Sequence, residues 1–564
     1  MMVMDSKNKT KKKMRKLINN YNFKAFMLLI VGVLVFNACD DDDQVTSEET
    51  RLFRPVLNRD LFAQGNSITV NMGDLKAATG YVVEVSRDTF ANIEYTILSD
   101  VSLVEVNQNT VGEELFWNTL YQVRAKALAE DSEFDSQLAD FGNVRTERFP
   151  TILNIPVSSD VTDVAARVTW TVGGAPVTGM KVFAADDLKL TNPLFDETPV
   201  TSEQQTSGES FVFGLTPETE YQIAIYSGSE LRGWVNYKTL PPDIDPTLPN
   251  VIDLSDSEDR TAVETALPAA NDGDIILVKR GVEYDAPGLA LNKSVTIRAA
   301  YGFGDQKAKL MFPSNFDLED GANIDHLRFV DLELRGTDWG GKYVINISTT
   351  STLNEFSIDN CYVTNFRGVF RQKDNPSVVN NFIINNSLLD SINNYGVATC
   401  DKDTARLHNI KLTNTTINRT IYFLVSRSNT ESILIENCTL ANINETGRQM
   451  FRWRGSDGEN NVTNGVTIRN TIIGHAWDKS NDESYAIRGI DGLANTVFDV
   501  SNTYTVSNFS WVDEANSIPA IPVGNAGSSQ EDLWVDPENN DFNFANSTFG
   551  GRFDSGDPRW RVEL

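Results

Sequence analysis

The sequence predicts an all-β chain: two β-sandwiches followed by a parallel β-helix with a short helix at its start. Three observations predict it. Residues 51–147 and 151–240 consist of short β-rich runs broken by turns, the pattern of sandwiches. A Pro-rich stretch, PPDIDPTLPN at 241–250, then marks a shift to sequence rich in Asn, Ile, Thr and Val. Beyond it the motif Φ-x-Φ-x-Asn-x-x-Φ recurs at spacings of 23 to 33 residues, a period that belongs to a solenoid.

A chain of 564 residues is long enough for about three or four domains. Lys and Arg number 49 and Asp and Glu 78, a net charge of −29, which argues against a general nucleic-acid binder. Residues 1–38 read as a targeting segment. A basic stretch from Lys7 to Lys16 precedes the apolar run Ala25–Phe36, which is too short to span a bilayer comfortably. The run ends in Phe36-Asn37-Ala38-Cys39, which resembles a bacterial lipobox without its leading Leu. Asp40-Asp41-Asp42-Asp43 follows, and a Cys followed at once by acids resembles the surface-export signal of Bacteroidota lipoproteins. The resemblance implies lipidation at Cys39 and an outer-membrane lipoprotein facing the cell exterior, with 39–50 as an acidic tether.

Each sandwich carries a turn motif. Leu215-x-Pro217-x-Thr219-x-Tyr221 resembles the turn and tyrosine corner of fibronectin type III modules, and Leu115-x-Trp117-x-Thr119-x-Tyr121 repeats it with Trp in place of Pro. Trp170 resembles the core tryptophan of such modules; the first module has no clear counterpart. Their expected role is a stalk that holds the next domain off the membrane.

The β-helix is expected over 251–531. Ala262, Val263, Ala266 and Leu267 stand at helical spacing within 259–270. The block from Ala262 to Tyr284 resembles the N-terminal cap of pectate-lyase-like right-handed β-helices, and roughly residues 250–564 resemble the uncharacterised β-helix lipoproteins found with Bacteroidota polysaccharide-utilisation systems. The repeat places Asn360, Asn386, Asn414, Asn437, Asn470 and Asn502 in one column, with Asp331 before them. Asn tolerates the left-handed backbone of a bend and bonds local backbone, and amides stacked at about 4.8 Å can also bond one another. Cys361 and Cys438 fall in the next column three rungs apart, roughly 14 Å, too far for a disulfide. With Cys400 they make no metal cluster, and His326, His408 and His475 are far apart in sequence. Residues 532–564 repeat nothing and resemble the closing segment of the same lipoproteins.

Each coil continues into a second β-like run. Arg371, Lys402, Arg427, Arg452, Arg454 and Arg488 lie at or just past the ends of these runs. Stacked in order they would form a basic stripe on an acidic protein, and a polyanion would relieve the repulsion between them. A polyuronate such as pectate or alginate has about one carboxylate per sugar, and Arg suits carboxylates. Tyr422, Trp453 and Tyr485 are candidate platforms for sugar faces. A bland surface is the competing reading, with Asp401, Asp403, Asp457 and Glu459 pairing the cations.

Two chemistries follow from the stripe. A β-eliminating lyase must neutralise the uronate carboxylate with Ca²⁺ or cations and then take the α-proton. Lys402, Arg427, Arg452 and Arg454 are the candidate bases, and Asp401, Asp403 and Asp457 the candidate Ca²⁺ ligands. A glycosidase would need two facing carboxyls. Asp401 and Asp403 share a face if CDKDT is extended and resemble the paired acids of polygalacturonases, whose full motif the chain lacks. The expected partners are an acidic polysaccharide, the outer membrane through the lipid and a glycan import complex, with no nucleic acid. A non-catalytic glycan-binding protein and a β-helical adhesin are the alternatives to an enzyme.

Overall fold

The computed structural model describes residues 50–518 and 520–562; the expectations on Cys39, the apolar run and the aspartates lie outside them. The chain divides into two units, one ending at Phe149 and the other beginning at Pro150. The first is a sandwich. One sheet runs Phe62–Gln64, Ser67–Asn71, Leu103–Val106, and the other Tyr95–Ser99, Gly80–Ser86, Leu120–Leu128, Ala139–Arg145. Alternating residues such as Ile68, Val70, Val83, Val123 and Ala125 fill the space between them. The expected tyrosine corner is present: the Phe116 N–H donates to the Tyr121 hydroxyl at 3.0 Å.

The second unit starts with another sandwich, whose core holds Trp170 and Tyr221, and the Thr216 N–H donates to the Tyr221 hydroxyl at 2.9 Å. Asn118 and Glu218, at matching places in the two corners, both take positive φ. The Pro-rich segment after this sandwich is pinned to the β-helix. Asp243 accepts from Arg298 Nη2 at 2.6 Å and from the Tyr301 N–H at 2.8 Å. Phe211 packs on Phe303 with centroids 5.0 Å apart.

The β-helix is parallel throughout. Its longest unbranched sheet stacks ten strands from Val251–Leu254 to Phe498–Ser501. A fourteen-strand network supplies the other two faces. Right-handed is the hand such parallel crossovers take. The helix Ala262–Ala269 lies at the first coil with Val263 and Leu267 fully buried, which covers an end that would otherwise be open to edge pairing. Phe312, Phe329, Phe356 and Phe382 stack through the interior at 5.6–6.4 Å between successive centroids.

The Asn column behaves as its chemistry predicts. Asp331, Asn360, Asn386, Asn414, Asn437, Asn470 and Asn502 all have φ between 43° and 58°. Side-chain amides form a ladder from Asn502 to Asn470, Asn437 and Asn414 at 3.0–3.2 Å. It then passes to Asn385 rather than Asn386. Cys361 and Cys438 are free and buried, and burial pushes both thiols up to about 12.

Residues after 529 do not extend the repeat. A short helix Gln530–Leu533 and the antiparallel pair Trp534–Asp536 and Asp541–Phe544 precede a segment that runs back along the coils. There the Trp560 indole donates to Thr416 Oγ1 at 2.8 Å and Asn418 donates to Asn540 Oδ1 at 2.8 Å. This explains why the polar strand residues Thr416 and Asn418 are fully buried: the tail satisfies and covers their outward side.

Candidate functional site: an arginine and tyrosine face

The second runs of the coils form one face of the β-helix, on strands Tyr343–Ile347, Tyr362–Gln372, Leu388–Cys400, Leu424–Ser426, Gln449–Trp453 and Ala486–Asp491. Parallel pairing fixes their register. Asn346, Arg371, Thr399, Val425, Arg452 and Asp491 make one column. Gln372, Cys400, Ser426 and Trp453 make the next. Strand side chains alternate, so the first column points out and the second in.

One step further along, Arg427 and Arg454 follow Asp401. The Asp401 carboxylate is the centre of the face. It accepts from Arg371 Nη2 at 2.7 Å, Arg427 Nε at 3.2 Å and Arg454 Nη2 at 3.3 Å. Arg452 lies 3.6 Å from Asp491 and its Nη1 donates to the Tyr422 hydroxyl at 3.4 Å. Arg448 donates to the same hydroxyl at 2.9 Å. The guanidinium of Arg371 lies 4.0 Å from the Tyr395 ring centroid, and Arg367 4.7 Å from the same ring. Guanidiniums held over tyrosine faces are oriented by cation–π attraction as well as by charge.

Four arginines, 371, 427, 452 and 454, thus share two carboxylates. Burial, then the like charges of Arg452 and Arg427, push the Arg454 guanidinium below the usual arginine range, against the pull of Asp401. The Nε atoms of Arg371, Arg452 and Arg454, the Tyr343 hydroxyl and Asn346 Oδ1 are buried without a hydrogen-bond partner.

Several expected site residues stand elsewhere. Trp453 is 1% exposed and belongs to the core, so it offers no sugar platform. Arg488 pairs in register with Gln449, and Asp491 takes the place opposite Arg452; the loop 474–485 lengthens this coil and shifts the strand. Tyr485 packs on His475 at 4.2 Å. Lys402 is half-buried just past the strand end, and among the described residues its ammonium has no carboxylate within ion-pair distance. Asp403 and Asp457 are exposed on separate turns, so CDKDT is not extended. No group of three metal-ligating side chains exists among the described residues, and Asp401 is engaged by arginines. The calcium set Asp401, Asp403 and Asp457 is therefore not assembled.

The face is broad, and three hollows of the second unit lie away from it. One of about 670 Å³ sits between the second sandwich and the flank of the β-helix, lined by Ser159, Arg280, Tyr301, Lys307, Asp331 and Arg559. Its charges are matched internally, since Asp331 accepts from Arg280, Lys307 and Asn360.

Four residues of note were not anticipated as site members. Tyr343 and Tyr395 flank Arg371, and both immediately precede or begin second runs, which the pattern of basic strand ends passed over. Trp339 and Trp477 sit in loops and meet edge to face at 6.5 Å; nothing periodic marks them.

Comparison with known proteins divides the β-helix in two. Residues 282–420 match the model of a domain of unknown function (DUF4957), and residues 433–560 match that of a second domain of unknown function (DUF5123). No curated protein matches the chain. Among solved structures, the crystal structure of chicken CNTN1 FN1-FN3 domains is similar at 17% identity and a TM-score of 0.14, covering 34% of this chain and 69% of that chain.

Proposed function

We propose that this protein binds an acidic polysaccharide of the polyuronate class on the arginine and tyrosine face, while held on the outer membrane by a lipid at Cys39. The observation that carries the reading is the convergence of Arg371, Arg427 and Arg454 on the single carboxylate of Asp401, beside Arg452. Two like charges about 5 Å apart repel by about 3 kcal/mol at an effective dielectric constant near 20. A protein of net charge −29 has acids to spare, yet the face keeps its excess of cations. Carboxylates of a passing polymer would relieve that repulsion through charge-assisted bonds to the guanidiniums.

The test uses soluble protein from Cys39 onward without the lipid. Retardation in gels containing pectate or alginate is the expected result, weakened at least tenfold by Arg452→Ala with Arg454→Ala and unaffected by two Arg→Ala changes in the first sandwich. No retardation by any acidic glycan would sink the reading.

A second reading is β-elimination on the same face. Arg454 stands on Asp401 beside Arg371 and Arg427, so the same face offers cations to neutralise a uronate carboxylate and a candidate base for its α-proton. Rising ultraviolet absorbance from unsaturated uronate products, abolished by Arg454→Lys, would select it over a protein that only holds the polymer for import.

A further inference from the structure

Two loops reach across the rungs to meet beside this face. Residues 337–342 leave the strand Leu332–Gly336, and residues 474–485 follow the strand Ile472–Ile473, five strands further along the same sheet. That is about 24 Å at about 4.8 Å per strand. The loops are joined by Trp339 and Trp477, with ring centroids 6.5 Å apart at 71°. Asn393 Nδ2 holds the Trp339 carbonyl at 3.0 Å, and Trp477 is tied by its N–H to the Asn444 carbonyl at 2.7 Å. Both indoles are half-buried, so the corner they form is built and still partly open. The exposed Lys479 lies over part of it, its ammonium 4.8 Å from the Trp339 centroid and 6.0 Å from that of Trp477. The Trp339 indole N–H is buried and has no acceptor, although a buried indole N–H usually finds one.

The corner is continuous with the arginine face but opposite in charge. Lys479 approaches Glu445 at 4.0 Å, Glu445 pairs with Arg448 at 3.3 Å, and Arg448 and Arg452 share Tyr422. The stretches 337–342 and 477–483 carry Asp338, Asp478, Asp482 and Glu483 against Lys342 and Lys479. A uronate would be repelled there. An uncharged sugar would not be, and its apolar face fits an aromatic surface.

We propose that Trp339 and Trp477 form a stacking subsite for a neutral sugar, so that the ligand is a heteropolysaccharide in which uncharged residues adjoin uronates. This rests on the acidic-glycan reading of the arginine face and narrows it: a pure polyuronate satisfies only half of the surface.

Affinity gels with soluble full-length mature chain distinguish the cases. The probes are two homopolymers, polygalacturonate and alginate, and two alternating polymers, hyaluronan and a rhamnogalacturonan backbone. At least one alternating polymer should bind tenfold or more tightly than either homopolymer. Trp339→Ala with Trp477→Ala should remove that preference and leave homopolymer binding unchanged. Trp339→Phe with Trp477→Phe, which keeps an apolar contact between the loops, should lose part of it and serves if the alanine variant does not fold. Equal binding of all four polymers, or tryptophan variants that keep the preference, overturns the stacking subsite and leaves the acidic-glycan reading standing. Binding that ignores Arg452→Ala with Arg454→Ala, or no binding at all, overturns that reading and the subsite with it.

Discussion

Asp401 is the residue on which the arginine face depends. Among the described residues it is the only carboxylate within ion-pair distance of Arg371, Arg427 or Arg454. It is itself mostly buried, with 15% of its side chain exposed. Asn at this position keeps the shape and removes the counter-charge, so three guanidiniums are left facing one another. Asp401→Asn should lower stability by about 1–3 kcal/mol, read as a fall in the thermal midpoint. It should also tighten polyuronate binding at low salt and steepen its decline with added salt, because more of the interaction is then screened charge. A variant with unchanged salt dependence would show that the face does not act on ligands through its charge. Alternation alone was enough to place Arg452 and Arg454 on one side of their strand and Phe451 and Trp453 on the other. The same rule already placed Trp453 in the core, and reading it as a sugar platform conflicted with it. Asp401 was legible only as one of several acids near the arginines, since its role depends on register across four coils.

At the scale of the element, the bend column is where sequence and structure agree most closely, because one residue type meets two local demands. Asn437 has φ 55°. Its amide donates to Asn414 at 3.0 Å, and its oxygen accepts from Asn470 at 3.2 Å and from Arg561 at 2.8 Å. Alanine there loses these bonds at about 1 kcal/mol each and adds about 1–2 kcal/mol for a left-handed backbone. Asn437→Ala should therefore cost about 4–5 kcal/mol in urea unfolding, and Asn437→Gly about 1 kcal/mol less, because glycine accepts that conformation. Equal costs would mean that the amide ladder alone matters. A second bend column, Asn365, Ser391, Arg419 and Asn442, also has positive φ, yet only two of the four are Asn, so no pattern announced it. The position of Arg488 failed for a related reason. The repeat predicts which strands stack, but the loop between 474 and 485 sets where the next strand begins, and loop length carries no register of its own. Trp339 and Trp477 come from such loops and were invisible for the same cause.

At the scale of the molecule, the C-terminal tail is held by two titrating groups of opposite sense. Glu531 is raised by burial but lowered more by its other contacts, chiefly the hydrogen bond from His475 at 2.9 Å, for a net shift below the ordinary glutamate value. A depressed folded-state value gives stability that is present above the unfolded value and is lost as pH falls through the folded one. Asp557 is 1% exposed. Burial raises it more than Arg559 and Thr416 lower it, for a net shift upward. A raised folded-state value gives stability that is present below the unfolded value and is lost as pH rises through the folded one. On acidification from about pH 7 to about pH 4, the range around carboxyl titration, the two terms oppose each other. Asp557→Asn removes the term that strengthens docking in acid, so its thermal midpoint should fall more steeply with decreasing pH than that of the unmodified chain. Glu531→Gln removes the term that weakens docking, so its midpoint should fall less steeply. Because the tail covers the polar strand Thr416–Thr420 through Asn418, Asn540 and Trp560, its release would expose part of the β-helix flank, and protease cleavage within 530–560 should follow the same order of pH sensitivity. Three coincident pH profiles would mean that the tail is held by packing of Leu533, Trp534, Phe542 and Phe549 without help from either carboxylate.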